Sequence, residues 1–343
     1  MTYIKPGDTS YRTFQDILTG YRMTEVCKIA HESDVFNIIG ADGLNGSTIC
    51  EKAGWDQTNG HRFLEALCAV GLLLAHDGRY SLSDFSKKFF LKTSAHSQTA
   101  ALAFEDRLVE SWSQLKGTLT KGEKVFGTTD KNDEEYKAAL GVYLNAMDDA
   151  AKIRAVEVWD SVKPEPNGLI LDVGAGSGAF LNEFMTRHKS WNGIFCDLND
   201  VVEKAKQNEG LTGFHQRLSF IESNLLEKTI VTGSISPKII MLSNLIHCQG
   251  MDETKRVLEN SLYSLSDDGV VMIHDFFSDC GWRGGLYDIH MMLNTYNGRT
   301  YTISDVTDML SASGIIHSKT IRLKSGSTIL LASKQPVLDA FTL

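Results

Sequence analysis

A chain of 343 residues is long enough for two domains, and 42% hydrophobic residues with only five prolines is an ordinary make-up for a globular protein. A net charge of −9, from 43 acidic and 34 basic side chains, argues against nucleic acid as the main partner, because phosphate binding favours a basic surface. No apolar run is long enough to span a membrane, Met1-Thr2-Tyr3-Ile4-Lys5-Pro6 does not open as a signal peptide, and the cysteines at 27, 50, 68, 196, 248 and 280 include no CxxC pair. Reduced thiols in a cytoplasmic protein are therefore expected.

Residues from about 10 to 92 carry helical apolar spacing and end in a small wing. Ser47-Thr48-Ile49-Cys50-Glu51-Lys52-Ala53-Gly54-Trp55 reads as a capped short helix and a turn. The stretch from His61 to Leu73 reads as a second helix, and His76-Asp77-Gly78-Arg79-Tyr80 as a hairpin with Asp-Gly at its turn. This is winged-helix patterning, but the second helix carries one arginine with acids nearby, so packing and dimerisation are expected rather than DNA binding. Val35, Phe36, Ile38 and Ile39 belong to an apolar segment that reads as too extended for one small core. Residues from about 97 to 160 read as helical, with Trp112 and Trp159 as core anchors. Lys163-Pro164-Glu165-Pro166-Asn167-Gly168 is the clearest linker.

Strands and helices then alternate, with strands expected at 169–173, 193–197, 217–222, 238–243, 269–275, 314–323 and 327–333. The last two flank Lys324-Ser325-Gly326 and predict an antiparallel hairpin at the end of an otherwise parallel sheet. The division expected is 1–100, a helical winged-helix-like dimerisation domain; 101–165, a helical connector that contributes to a pocket; and 166–343, an α/β domain with a Rossmann-like sheet.

The most informative stretch is Leu169-Ile170-Leu171-Asp172-Val173-Gly174-Ala175-Gly176-Ser177-Gly178-Ala179-Phe180-Leu181. A buried strand ends near Asp172, and glycines then let backbone amides approach a ligand. A carboxylate beside that loop repels a pyrophosphate and welcomes a cation, so an ammonium or sulfonium next to a nucleoside is inferred. S-adenosylmethionine fits. Gly174, Gly176 and Ala179 also satisfy the dinucleotide fingerprint. Asp197, in Gly193-Ile194-Phe195-Cys196-Asp197-Leu198, is placed to accept from ribose hydroxyls of either ligand.

The C-terminal half resembles the class I S-adenosylmethionine-dependent methyltransferases. The whole chain is similar to one branch, the small-molecule O-methyltransferases that include caffeate, acetylserotonin and bacterial antibiotic-tailoring enzymes. The resemblance rests on the winged helical region, the 169–181 motif, Cys196-Asp197-Leu198, Ser243-Asn244-Leu245-Ile246-His247, Leu265-Ser266-Asp267-Asp268-Gly269 and Tyr296-Asn297-Gly298-Arg299-Thr300-Tyr301-Thr302. It implies a homodimer built through the N-terminal domain. It implies a cofactor set of Asp172, Gly174, Gly176, Gly178, Asp197, Leu198, Asn224, Leu225 and Ser243. Asn224 stands where the family usually has an acid at the adenine end, and Cys248 where an aspartate usually follows the catalytic histidine. The family's two supporting acids align with Asp275 and Thr300, so only the first is retained.

Methyl transfer from a sulfonium is an in-line displacement in which the protein aligns the acceptor and takes up a proton. His247, after the fourth strand of the sheet, is the expected base, and Asp275, at the end of the next strand, its partner. His247, Cys248, His274, Cys280 and His290 match no standard zinc spacing, so no metal is expected. Trp112, Tyr143, Met147, His290, Met291 and Asn294 are expected at the acceptor pocket, with Phe104, Met292 and Tyr296 as further wall candidates. The expected activity is methyl transfer to a hydroxyl of a small aromatic molecule. Transfer to nitrogen, sulfur or carbon, and a non-methylating cofactor-binding homologue, are the alternatives.

Overall fold

The computed structural model describes residues 4–5, 7–122 and 133–342. Two compact units divide the chain, Met1–Arg107 and Leu108–Leu343.

The first unit opens with the helix Tyr11–Glu32 and continues through Val35–Ile39, Gly46–Ala53 and Gln57–Ala69. Asn45, rather than Ser47, caps the third of these helices by accepting from the Thr48 N–H, and Gly54 ends it in the left-handed conformation. A small antiparallel sheet is formed by β1 (Leu44–Asn45), β2 (Leu73–His76) and β3 (Arg79–Leu82), in the order β1-β3-β2. Asp77 and Gly78, at φ 48° and 73°, make the two-residue turn between β2 and β3, as Asp-Gly does in tight hairpins. Val35, Phe36 and Ile39 are buried in this unit's own core with Ile49, Leu64, Leu67 and Leu73. That corrects the expectation that the 35–39 segment is surplus apolar surface: a short helix there lets the core absorb it. Exposed apolar side chains concentrate instead on the first helix, at Tyr11, Phe14, Ile17, Leu18 and Tyr21, with Leu74 and Phe85 among those exposed elsewhere in the unit.

The second unit centres on a seven-stranded sheet: β4 (Gly168–Val173), β5 (Trp191–Asp197), β6 (Leu218–Glu222), β7 (Ile239–Ser243), β8 (Val270–Asp275), β9 (His317–Arg322) and β10 (Thr328–Ser333). The order is β6-β5-β4-β7-β8-β10-β9. Strands β4 to β8 pair in parallel, whereas β10 is antiparallel to both β8 and β9. Parallel strands covered on both faces need apolar residues throughout, and β4, β7 and β8 are buried along almost their whole length. The edge strand β9 instead alternates half-buried and exposed positions.

Alternation along β4 sends Ile170 to one core, with Phe180, Phe184, Trp159 and Trp191, and Leu169, Leu171 and Val173 to the other. Trp159 is the anchor its sequence position suggested: it is buried and its indole N–H donates to the Phe180 carbonyl at 2.9 Å. Asp172 shares the face of Ile170, one position from the strand's end. The chain order reverses between β4 and β7, so the crevice where ligands bind in open α/β sheets lies beyond the C-terminal ends of these strands.

Candidate functional site

The loop after β4 is held by its neighbour strand. The Gly174 and Ala175 N–H groups donate to the Cys196 carbonyl at 2.8 and 3.2 Å. The Gly176 N–H donates to Asp197 Oδ2 at 2.8 Å, while Asp197 Oδ1 accepts from the Leu198 N–H at 2.7 Å. Burial raises the Asp197 pKa and these two amide bonds pull against it. The glycines differ in what they face. A Cβ on Gly174 would strike Leu245, and one on Gly178 would strike Leu211, so close packing excludes side chains there. Gly176, at φ 58°, faces open space, which suits a backbone that a ligand approaches.

Asp172 is fully buried, and burial, followed by the nearby Asp197 charge, pushes its pKa up to about 8. Its Oδ2 accepts no hydrogen bond. Among the described residues five buried side-chain oxygens lack a partner, and three of these are Asp172 Oδ2, Asn244 Oδ1 and Asp275 Oδ2. All three stand at the C-terminal ends of the adjacent strands β4, β7 and β8. Each such oxygen costs about 1–3 kcal/mol when no donor reaches it. Unpartnered acceptors at these strand ends are the kind of group that a ligand with donors would satisfy.

Beyond β7 the chain turns sharply. Asn244 adopts φ 51°, its N–H donates to the His274 carbonyl, and the 3₁₀ turn Ile246–Cys248 follows. This turn drops His247 onto Asp275: His247 Nδ1 and Asp275 Oδ1 are 2.5 Å apart, with both residues buried. Asp275 Oδ1 also accepts from the Phe276 N–H at 2.7 Å, which fixes the carboxylate. Burial acts first to lower the His247 pKa, but the Asp275 charge outweighs it and the net value stands well above that of a free histidine. The adjacent His274 points to the other face. It bridges Ser243 Oγ and Ser327 Oγ at 2.8 Å each, and burial, with Arg154 next, drives its pKa down to about 3. It is a neutral brace between β7, β8 and the β9–β10 hairpin.

The helix Trp282–Asn294 supplies one wall. Tyr287 meets the His247 ring edge-on at 5.0 Å, and lies 5.5 Å from His290 and 4.5 Å from Phe276, centroid to centroid. His290 Nδ1 accepts from the Trp112 indole N–H at 3.3 Å and from the Asn294 amide at 3.2 Å. A nitrogen that accepts twice carries no proton, in keeping with the lowering of the His290 pKa by burial and then by His247. Asn294 Oδ1 in turn accepts from Ser111 Oγ at 2.7 Å. Tyr143, on the helix Asp133–Asp160, is 42% exposed, yet burial drives its hydroxyl pKa up. The ionisable groups that act on it are those of Cys248, Tyr287, His247 and Asp197. Met147 follows one turn later and is half-buried.

The structure thus brings together His247 with Asp275, Asp172 with the glycine loop and Asp197, and Trp112 with His290 and Asn294. Other residues keep local company. Asn224 Oδ1 accepts from the Leu226 N–H and its amide donates to Glu227, forming a turn, while Leu225 packs half-buried against the core. Ser243 serves His274, Leu198 is exposed, Met291 is buried and Met292 half-buried. Thr300 makes no bond to the histidine; its N–H and hydroxyl both donate to Asp288 Oδ1. Phe104 belongs to the first unit. Tyr287 and Arg154 were not picked out from the sequence. The available signal was helical spacing: Tyr287 stands three residues before His290, and Arg154 stands two turns after Met147.

The model of a family described as the O-methyltransferase domain matches residues 105–316. The 3-hydroxy-5-methyl-1-naphthoate 3-O-methyltransferase of Streptomyces sahachiroi is 22% identical, covering 90% of this chain and 91% of its own. Acetylserotonin O-methyltransferase of Bos taurus is 20% identical over 89% of this chain and 92% of its own. The crystal structure of human N-acetylserotonin methyltransferase in complex with SAM superposes with a TM-score of 0.79 at 18% identity, covering 97% of this chain and 99% of that one. With the match spanning most of the second unit, the chain belongs to the O-methyltransferase domain family.

Proposed function

We propose that the protein transfers the methyl group of S-adenosyl-L-methionine to a hydroxyl of a small aromatic molecule, with His247 as general base. The observation that carries the reading is the buried His247–Asp275 pair at the C-terminal end of β8, together with the buried, unpartnered Asp172 carboxylate oxygen near the end of β4. In this reading Asp172 receives the cofactor's ammonium group, the open backbone at Gly176 lets the cofactor approach while Gly174 and Gly178 allow the loop's tight packing, and Asp197 accepts from the ribose hydroxyls. Leu198, Asn224 and Leu225 border the adenine, and Ser243 the methionine end. The cofactor supplies a methyl carbon on a positively charged sulfur, open to in-line attack. Tyr143, Met147, Trp112, His290, Met291 and Asn294 hold the acceptor, and the ring-to-ring contacts of Tyr287 suit a flat aromatic one. His247 takes the hydroxyl proton, and Asp275 orients the ring and stabilises its charged form. The two relatives named above act, by their names, on hydroxylated aromatic compounds, which supports this acceptor class.

The first unit fits a winged-helix-like dimerisation module, and the exposed apolar side chains of the helix Tyr11–Glu32 fit a second copy of the chain as partner. The cofactor reading is tested by calorimetric titration of S-adenosylhomocysteine. Asp197→Ala should weaken binding by about tenfold or more, as expected from hydrogen bonds to a charged group. Unchanged affinity would place the cofactor elsewhere.

A further inference from the structure

His290 is half-buried on the helix Trp282–Asn294, and its two ring nitrogens keep unequal company. Nδ1 lies 3.3 Å from the Trp112 indole nitrogen, which carries a proton and can only donate. It also lies 3.2 Å from the side-chain amide of Asn294. The atom there is the amide nitrogen, because it also donates to the His290 carbonyl at 2.9 Å, and a carbonyl can only accept. The Asn294 oxygen is turned to Ser111 Oγ at 2.7 Å. Nδ1 therefore offers a lone pair, and the ring's one proton sits on Nε2. A second proton would set an N–H against two donors, and burial, followed by the His247 charge, also disfavours the cation. The ring is a neutral donor of fixed tautomer. Yet Nε2 meets no acceptor among the described residues, and it is not sealed from solvent. Tyr287 stands 5.5 Å from this ring and 5.0 Å from the His247 ring, so the idle donor and the proposed base border the same aromatic side chain.

We propose that His290 determines specificity by donating its Nε2–H to a carbonyl oxygen of the methyl acceptor, which therefore carries a ketone, quinone or amide carbonyl besides the hydroxyl that is methylated. The inference rests on the methyl-transfer reading, which places the aromatic acceptor against this helix. An uncharged carbonyl suits the donor better than a carboxylate does. The locked tautomer cannot answer an anion by taking up a second proton, and the Asp275 charge beside His247 repels one. A methyl acceptor without such an oxygen would displace water from the N–H and leave it unpaired, and that cost is the source of the discrimination.

Matched methyl acceptors read the contact: 6- and 7-hydroxy-1-tetralone against 5,6,7,8-tetrahydro-2-naphthol, which has the same rings without the ketone. The readout is kcat/KM or, on enzyme loaded with S-adenosylhomocysteine, calorimetric affinity. Ratios within each enzyme form are compared between forms, so the differing acidity of the phenols cancels. Wild type should favour at least one ketone by on the order of tenfold, and His290→Leu should erase that preference. His290→Gln, whose amide keeps an N–H near the Nε2 position, should retain part of it and guards against a misfolded leucine variant. Heteronuclear NMR of nitrogen-labelled histidine gives a second readout. In the S-adenosylhomocysteine complex the His290 Nε2–H signal should move with the favoured ketone and stay in place with the tetrahydronaphthol. No ketone preference in wild type, or the same preference in the leucine variant, overturns the proposal. So does a leucine variant that weakens ketones and tetrahydronaphthol alike, since His290 would then serve packing alone. Failure of all three compounds to bind overturns it as well. Normal S-adenosylhomocysteine affinity in every form would show that the cofactor reading stands even if this one falls, whereas no affinity in wild type would fell the methyl-transfer reading itself.

Discussion

Two titrating residues give the site measurable pH behaviour. Asp172 has its folded pKa raised to about 8 by burial, far above an ordinary carboxylate. Its contribution to stability is present in full below the unfolded carboxylate value and is lost as pH rises through about 8. Asp172→Asn should therefore match the wild type in melting temperature near pH 4 and exceed it above pH 8. An incoming ammonium would ionise this group, so S-adenosylhomocysteine binding near pH 7 should release about one proton, and the asparagine variant should release none. Titrations in buffers of different ionisation enthalpy read this directly; equal proton release from both forms would exclude Asp172. His247 shifts in the same direction for another reason. Burial opposes its charge, but the Asp275 carboxylate prevails and its pKa rises. The stability from this pair is fully present below the free histidine value and fades as pH rises through the folded value. The melting-temperature gap between wild type and His247→Ala should therefore narrow on going from pH 6 toward alkaline conditions.

At the level of elements, the helices that follow and face the sheet place the chemistry. The helix Ala179–Arg187 starts directly after the glycine loop and is docked by Phe184, which packs on Trp159 and Trp191 at 4.6 and 5.1 Å between ring centroids. Phe184→Ala should cost about 3–5 kcal/mol in denaturant unfolding of this unit, the usual scale for emptying a buried aromatic site. A loss below 1 kcal/mol would mean that the core collapses around the gap. The helix Trp282–Asn294 carries Tyr287, His290 and Asn294 on one face, tied to Ser111 and Trp112. Asn294→Ala removes the amide that donates to His290 and the oxygen that ties Ser111 to this helix, leaving Ser111 only the Leu108 carbonyl as acceptor. It should raise the acceptor KM several-fold while leaving S-adenosylhomocysteine affinity unchanged; equal loss of both would make the network structural only.

Over the whole molecule, what could be read in the sequence followed the strength of the local signal. The parallel strands are continuous apolar runs bounded by turn residues, and the β9–β10 hairpin is bracketed by Ser325-Gly326, so both were legible. The glycine loop and Asp197 were legible because a strand, tight turn and helix leave few other arrangements. The pairing of His247 with Asp275 could be suspected only from strand order, since the residues are 28 apart and a strained Asn244 turn joins them in space. Tyr287 and Arg154 were not legible, because an aromatic or a cation on an amphipathic helix has no periodicity that separates wall from surface. The fate of residues 35–39 was misread for the related reason that apolar content does not say which core takes it. The exposed aromatic and aliphatic side chains of Tyr11–Glu32 predict a homodimer. Sedimentation equilibrium should give twice the 38.0 kDa chain mass, and a concentration-independent monomer would rule out that helix as an interface.

The central claim is that His247 removes the acceptor proton. The most direct measurement is the pH dependence of kcat, followed as ether formation from labelled S-adenosylmethionine on a hydroxylated aromatic acceptor, in wild type and His247→Ala. The wild type should lose activity as pH falls through a value above that of free histidine, because Asp275 raises the pKa of the base. The alanine variant should lack this limb, turn over about 10²–10⁴-fold more slowly and bind S-adenosylhomocysteine normally. Full activity in the variant with an unchanged pH profile would contradict the account.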